Sequence, residues 1–180
     1  MGFDIKEKIF KFYFFKSPRP KYSDMAGEFS LKFSDISLYI KEIRSERAEE
    51  IERINRLLFN LYLTKKEKYG NCFKFESFEV FYKWYVEKFE NQGGACYYCK
   101  TKENDLAKLF EEKKLPNKQY PKRGKHLEVE RKNSYRGADN YHESNCVLCC
   151  FLCNNAKSDI FNEKQFESIG KTIGKVIKLL

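Results

Sequence analysis

The stretch Cys146-Val-Leu-Cys-Cys-Phe-Leu-Cys-Asn-Asn-Ala-Lys157 decides the fold when it is set beside Cys96-Tyr-Tyr-Cys99. A Cys-x-x-Cys spacer lets both thiolates of one turn reach the same tetrahedral ion at about 2.3 Å. Two such knuckles complete a closed four-sulfur zinc site, which is structural because no coordination position is left for water. Cys96 and Cys99 supply the first knuckle. The second is ambiguous by spacing alone, since Cys146/Cys149 and Cys150/Cys153 both carry it. Buried free thiols or a redox dithiol are the rival readings, and a redox pair leaves the second Cys-x-x-Cys unexplained. The seven cysteines are an odd number, which suits metal binding better than a disulfide framework. Cys72 reads as an ordinary buried thiol.

Outward from that stretch, the chain of 180 residues is long enough to bury a core without covalent staples. Its 42% apolar content excludes a disordered chain. A formal charge of +9 favours an anionic partner, of which nucleic acid is the commonest. The early apolar run Ile9–Phe15 is interrupted by Lys11 and lacks a small-residue cleavage site, so no signal peptide is read there. No run approaches a membrane span. A cytoplasmic location with reduced thiols is the expectation.

Upstream, Ile40, Ile43, Ile51, Ile54, Leu58 and Leu61 recur at helical spacing and predict one long helix, or two, over Leu38–Lys66. Phe78, Phe81, Tyr82, Tyr85, Val86 and Phe89 predict a second helix whose aromatic stripe is core, stopped by Gly93-Gly94. The basic stretch Lys113–Lys125 is broken by Pro116, Pro121 and Gly124 and reads as a loop. His126–Arg131 alternates as a strand. A last helix is expected over Asn162–Leu180, capped by Asn162 with Gln165 at the capping-box position. Its buried face would be Phe166, Ile169, Ile173 and Ile177.

Three segments carry the chemistry: His126-Leu-Glu-Val-Glu-Arg-Lys132, Tyr141-His-Glu-Ser-Asn145, and Leu148 through Lys157 with the continuation Ser-Asp-Ile-Phe161. In order, spacing and residue type they resemble the HNH (ββα-metal) endonucleases, most of all the PacI-like restriction endonuclease branch. There an acidic residue and an arginine end the first strand, a Tyr-x-x-x-Asn turn follows, and Cys-x-x-Cys-Asn opens the helix. The resemblance spans the last ninety residues or so and does not reach the first ninety. It assigns Cys150 and Cys153, with Cys96 and Cys99, as the zinc ligands, because Cys153 is the cysteine that precedes Asn154.

The resemblance implies a catalytic Mg²⁺ (or Mn²⁺) held by oxygens of Glu130 and Asn154. Glu128, about 6.6 Å along the same strand face, would be a further ligand or a residue behind one. Such an ion acts as Lewis acid and counter-charge in phosphodiester hydrolysis. The common HNH pattern has a histidine base after the acidic ligand, where this chain has Arg131. Arginine is no base near neutral pH, so Arg131 would clamp the scissile phosphate. The base is then one of His126, Tyr141 and His142, in that order of expectation. Asn145 would fix the turn by side-chain-to-backbone hydrogen bonds. Lys122, Arg123, Lys125 and Lys157, with Lys113, Lys114 and Lys118 upstream, are the cations expected to grip DNA phosphates.

The fold class expected is α+β: a helical N-terminal part, residues 1–92, for DNA recognition or dimerisation, and a zinc-stapled ββα-metal nuclease module, residues 93–180. The function expected is metal-dependent cleavage of double-stranded DNA, as a homodimeric type II restriction endonuclease. Homing or anti-phage nucleases remain alternatives within the class. Outside it stand a zinc-dependent nucleic-acid-binding module that does not cut and a metal-independent ribonuclease.

Overall fold

The structure, a computed structural model, describes residues 2–16, 18–115, 123–134 and 141–180. Nine α-helices and two short strands are found among the described residues. They fall into two compact units, Met1–Gly70 with Ser77–Tyr82, and Asn71–Glu76 with Lys83–Leu180.

The first unit is helical. It contains α1 (Gly2–Phe14), α2 (Tyr22–Phe29), α3 (Phe33–Glu46), α4 (Ala48–Arg53), a π turn (Ile54–Leu58) and α5 (Phe59–Tyr69). The long helix expected over Leu38–Lys66 is thus present but segmented. It starts earlier, at Phe33, breaks at Arg47 (φ −125°, ψ 34°), and widens into the π turn with Ile54 and Leu58 fully buried at its ends. Ile36, Ile40 and Ile43 face one side of α3 and are buried, as are Ile9 and Phe10 of α1 and Met25 of α2, the two helices that α3 packs against. Helices α1 and α2 were not anticipated from the sequence.

Helix α6 (Phe78–Asn91) carries the aromatic stripe. Phe78, Phe81 and Tyr85 are buried, as expected of core. Phe78 and Phe81 belong to the first unit, where they meet Phe59 and Tyr62 at ring-centroid distances of 4.8 and 5.7 Å. Trp84 belongs to the second unit, 5.0 Å from Phe75, and its Nε1 donates to the Glu143 carbonyl. Gly93 and Gly94 end the helix at φ +62° and +65°, a conformation L side chains rarely take.

The second unit continues with the turn Ala95–Lys102, α7 (Glu103–Glu111), β1 (Glu128–Arg131), β2 (Cys146–Cys149), α8 (Phe151–Lys157) and α9 (Glu163–Ile177). β1 and β2 pair antiparallel, Glu128 opposite Cys149 and Arg131 opposite Cys146. Strand, strand and helix therefore follow in the expected order. β1 is shorter than expected: the Leu127 amide donates to the Glu103 carboxylate (2.7 Å) rather than to a ladder, so His126 precedes the strand. α9 begins with the expected capping box between Asn162 and Gln165. Its buried face is Phe166, Gly170, Gly174 and Ile177, while Ile169 and Ile173 are half-buried. The two glycines let the helix lie on the first cysteine knuckle: a Cβ on Gly174 would stand 2.4 Å from the Cys99 carbonyl oxygen, and one on Gly170 2.7 Å from Tyr98 Cβ. Among the described residues no helix is long and apolar enough to cross a membrane.

Candidate functional site

The first knuckle is a tight turn. The Cys96 amide donates to the Thr101 carbonyl, the Lys100 amide to the Cys96 carbonyl, and Lys100 takes φ +62°. Gln92 ties this turn to β2. Its side-chain amide donates to the carbonyls of Ala95 and Leu148, both at 2.8 Å, and its oxygen accepts the Leu148 amide at 3.1 Å. The second knuckle opens α8, with the Cys153 amide on the Cys150 sulfur.

Cys96, Cys99, Cys150 and Cys153 are all buried, and their sulfurs lie within 4.8 Å of one another. Sulfurs at about 2.3 Å from a tetrahedral zinc are about 3.8 Å apart, so the cluster has the dimensions of such a site; Cys99 and Cys150 are already at 3.6 Å. The thiols cannot all ionise unaided. Hydrogen bonds from Cys150, Cys153 and Cys96 hold Cys99 far below the usual thiol range, while the Cys150, Cys96 and Cys99 contacts push Cys153 far above it. A divalent cation relieves that conflict. Cys146 and Cys149, three apart in β2, point to opposite faces of the strand and cannot form a knuckle. Burial raises the Cys149 thiol well above its ordinary range. Cys72 is exposed, not buried, because it sits in a short 3₁₀ turn at Gly70–Cys72.

Glu128 and Glu130 share one face of β1, and Asn154 and Lys157, three apart, share one face of α8. The two faces meet. Asn154 Nδ2 donates to the Glu128 carboxylate. Lys157 Nζ lies 3.2 Å from Glu130 Oε1 and 3.1 Å from Ser134 Oγ. The structure therefore sets Glu128, rather than Glu130, against Asn154. It also corrects the reading of Lys157 as a cation facing DNA: its side chain is 0% exposed and its ammonium neutralises buried Glu130.

Arg131 lies at the end of β1. Its Nη2 donates to Asp159 (2.7 Å), and its guanidinium stands 4.8 Å from the Tyr141 ring centroid. Tyr141 is buried and held by backbone bonds to Cys72 and Lys74. His142, next in the chain, pairs its Nδ1 with Ser144 Oγ at 2.9 Å. His126 is elsewhere: half-exposed, with Nδ1 3.4 Å from the Glu103 carboxylate on α7. Asn145 clasps the backbone of Asn133 with both ends of its amide, as a turn-fixing residue should.

Of the other expected cations, Lys122 and Lys118 lie outside the described residues. Arg123 grips Glu128 with two nitrogens (2.5 and 2.6 Å) over the Phe151 ring, and Lys125 is exposed beside Glu111. Gln92 and Glu103 are structural supports that sequence reasoning missed. Both act through long-range contacts that no local pattern announces.

Oxygen donors of Glu128 and Asn154 suit a hard cation such as Mg²⁺, and Glu128 retains some solvent access. Both carboxylates already have a cation beside them, Arg123 at Glu128 and Lys157 at Glu130, and Glu130 fits less directly because it is the more deeply buried of the two.

No family model and no curated protein matches this chain. Among solved structures it is similar to that of the rare-cutting HNH restriction endonuclease PacI, with a TM-score of 0.53 and 24% sequence identity, over 67% of this chain and 76% of that one. Over the 67% of its length that the match covers, this chain thus has the fold seen in the HNH restriction endonuclease PacI.

Proposed function

We propose that this protein is a metal-dependent endonuclease of the HNH kind that hydrolyses phosphodiester bonds of double-stranded DNA. The observation that carries the reading is the meeting of the Glu128/Glu130 face of β1 with the Asn154/Lys157 face of α8, on a helix rooted in a four-cysteine cluster. In this reading Cys96, Cys99, Cys150 and Cys153 hold a structural zinc, which keeps Asn154 in place at the start of α8.

Glu128 and Asn154 would hold a catalytic Mg²⁺, with Glu130 and Lys157 fixing the strand and helix behind them. A half-turn of the Asn154 amide presents its oxygen beside the Glu128 carboxylate. The bound ion supplies Lewis acidity and counter-charge for the leaving oxygen. Arg131 exchanges Asp159 for the scissile phosphate and offsets the charge that builds there. Tyr141, against the Arg131 guanidinium, replaces His126 as the first choice for the group that takes the proton from water, with His142 second. His126 is set aside because it precedes β1 and pairs with Glu103.

The finer reading is a type II restriction endonuclease acting as a homodimer, with residues 1–92 serving recognition or dimerisation. The net charge of +9 suits a DNA substrate.

The test is digestion of a supercoiled plasmid with and without Mg²⁺. Nicked and linear products should form only with the metal. Glu128→Gln, Asn154→Ala and Arg131→Ala should each lose most of the cleavage while keeping their zinc, and Tyr141→Phe should lose more than His126→Ala. Cleavage without divalent metal would refute the mechanism. Absence of cleavage at any metal, with duplex binding intact, would favour a binding module.

A further inference from the structure

Beyond the Glu128/Asn154 site, the second unit has an open cleft of about 480 Å³ lined by polar side chains. Three segments build it. Lys132 and Asn133 leave β1 directly after Arg131, His142 and Ser144 come from the turn before β2, and Lys164 comes from the first turn of α9. Its walls are fixed in advance. The Lys132 amide donates to the Asn145 carbonyl at 2.7 Å, the Asn145 side chain clasps Asn133, and Asn162 caps α9.

Some lysines of the protein stand beside carboxylates, as Lys6, Lys11, Lys125 and Lys171 do. Lys132 and Lys164 have no ion-pair partner among the described residues. The cleft's carboxylate, Glu163, accepts the Tyr97 hydroxyl, which draws the Tyr97 proton affinity up to about 12. Two lysines therefore line a cleft shared with amides, a hydroxyl, an imidazole and one carboxylate, Glu163, that is engaged by Tyr97. Of these, the lysines, amides and hydroxyl are groups that contact the nucleic-acid backbone, where lysine meets phosphate charge and Asn and Ser donate to phosphate oxygens.

We propose that this cleft seats a DNA backbone phosphate, with Lys132 and Lys164 neutralising it and Asn133 and Ser144 hydrogen-bonding around it. The inference rests on DNA being the substrate. The seated phosphate sets register and orientation and carries no sequence information.

The test is binding of a short duplex to the zinc-loaded protein without Mg²⁺, measured across roughly 50 to 200 mM salt. Each phosphate contact adds about 0.9 to the slope of log K against log salt. Lys132→Gln/Lys164→Gln should reduce that slope by about 0.9, the contribution of the one phosphate the pair neutralises. Lys171→Gln/Lys175→Gln, an equal charge change further along the same helix, should reduce it by much less. Zinc content and helicity should match the wild type in both variants. An unchanged slope in the first variant, or an equal drop in the second, overturns the proposal. The nuclease reading is judged separately by the plasmid digest: if nothing is cut and the slope still falls only in the cleft variant, the phosphate seat stands without the enzyme.

Discussion

Replacing Lys157 by Met isolates the buried ion pair at the heart of the candidate site. Lys157 is wholly buried, Glu130 is 5% exposed, and 3.2 Å separates the charges. Met is close to Lys in length and apolar, so packing along the stem is nearly kept. What is lost is the ammonium beside the buried Glu130 carboxylate. Breaking a buried pair this way costs about 3–5 kcal/mol, a large share of the roughly 5–15 kcal/mol that holds a domain folded. Glu130→Gln/Lys157→Met removes both charges and should recover at least about 2 kcal/mol of that loss, since a neutral amide is far cheaper to bury. The assay is urea unfolding of the zinc-loaded variants. The Lys157→Met deficit should shrink as pH falls, because a buried carboxyl that has lost the ammonium beside it binds a proton more readily than the same group in the unfolded chain, and protons favour the state that binds more of them. A Lys157→Met protein within about 0.5 kcal/mol of wild type, or no more stable once Glu130 is also neutralised, would refute the reasoning.

Gly174→Ala sets a methyl 2.4 Å from the Cys99 carbonyl oxygen. Overpacking of about 1–3 kcal/mol should outweigh the roughly 1 kcal/mol of helix propensity gained, and a chelator competition should show faster zinc loss. Elemental analysis should find one zinc per chain, and its removal should lower the midpoint of thermal unfolding sharply, as expected when metal and fold are coupled; a metal-free protein of undiminished stability would dismiss the zinc reading. Asp159→Asn frees Arg131 from an exposed partner. Because such pairs are worth at most about 1 kcal/mol, duplex affinity should rise by no more than about five-fold, and a fall would contradict the role given to Arg131.

The local features were legible in the sequence. Cys-x-x-Cys spacing marks a knuckle, Gly93-Gly94 stops α6, Asn162 and Gln165 cap α9, and the aromatic stripe of α6 is core, because each depends on residues within a turn or two of one another. The choice of Cys150 over Cys146 needed the motif as a whole, since spacing allows both. Tertiary structure alone decided the partners of the charged groups. Glu128 and Glu130 are equivalent in sequence, both on one face of one strand. Which meets Asn154 and which meets Lys157 depends on the offset between β1 and α8, a long-range packing relation with no local signature. The same is true of His126, drawn to Glu103 before the strand begins, and of Gly170 and Gly174, whose missing side chains make sense only against the knuckle they cover. Lys157 makes the point most sharply: a lysine in a basic protein reads as surface from its own chemistry, and it is buried here because the strand places a carboxylate where its ammonium ends.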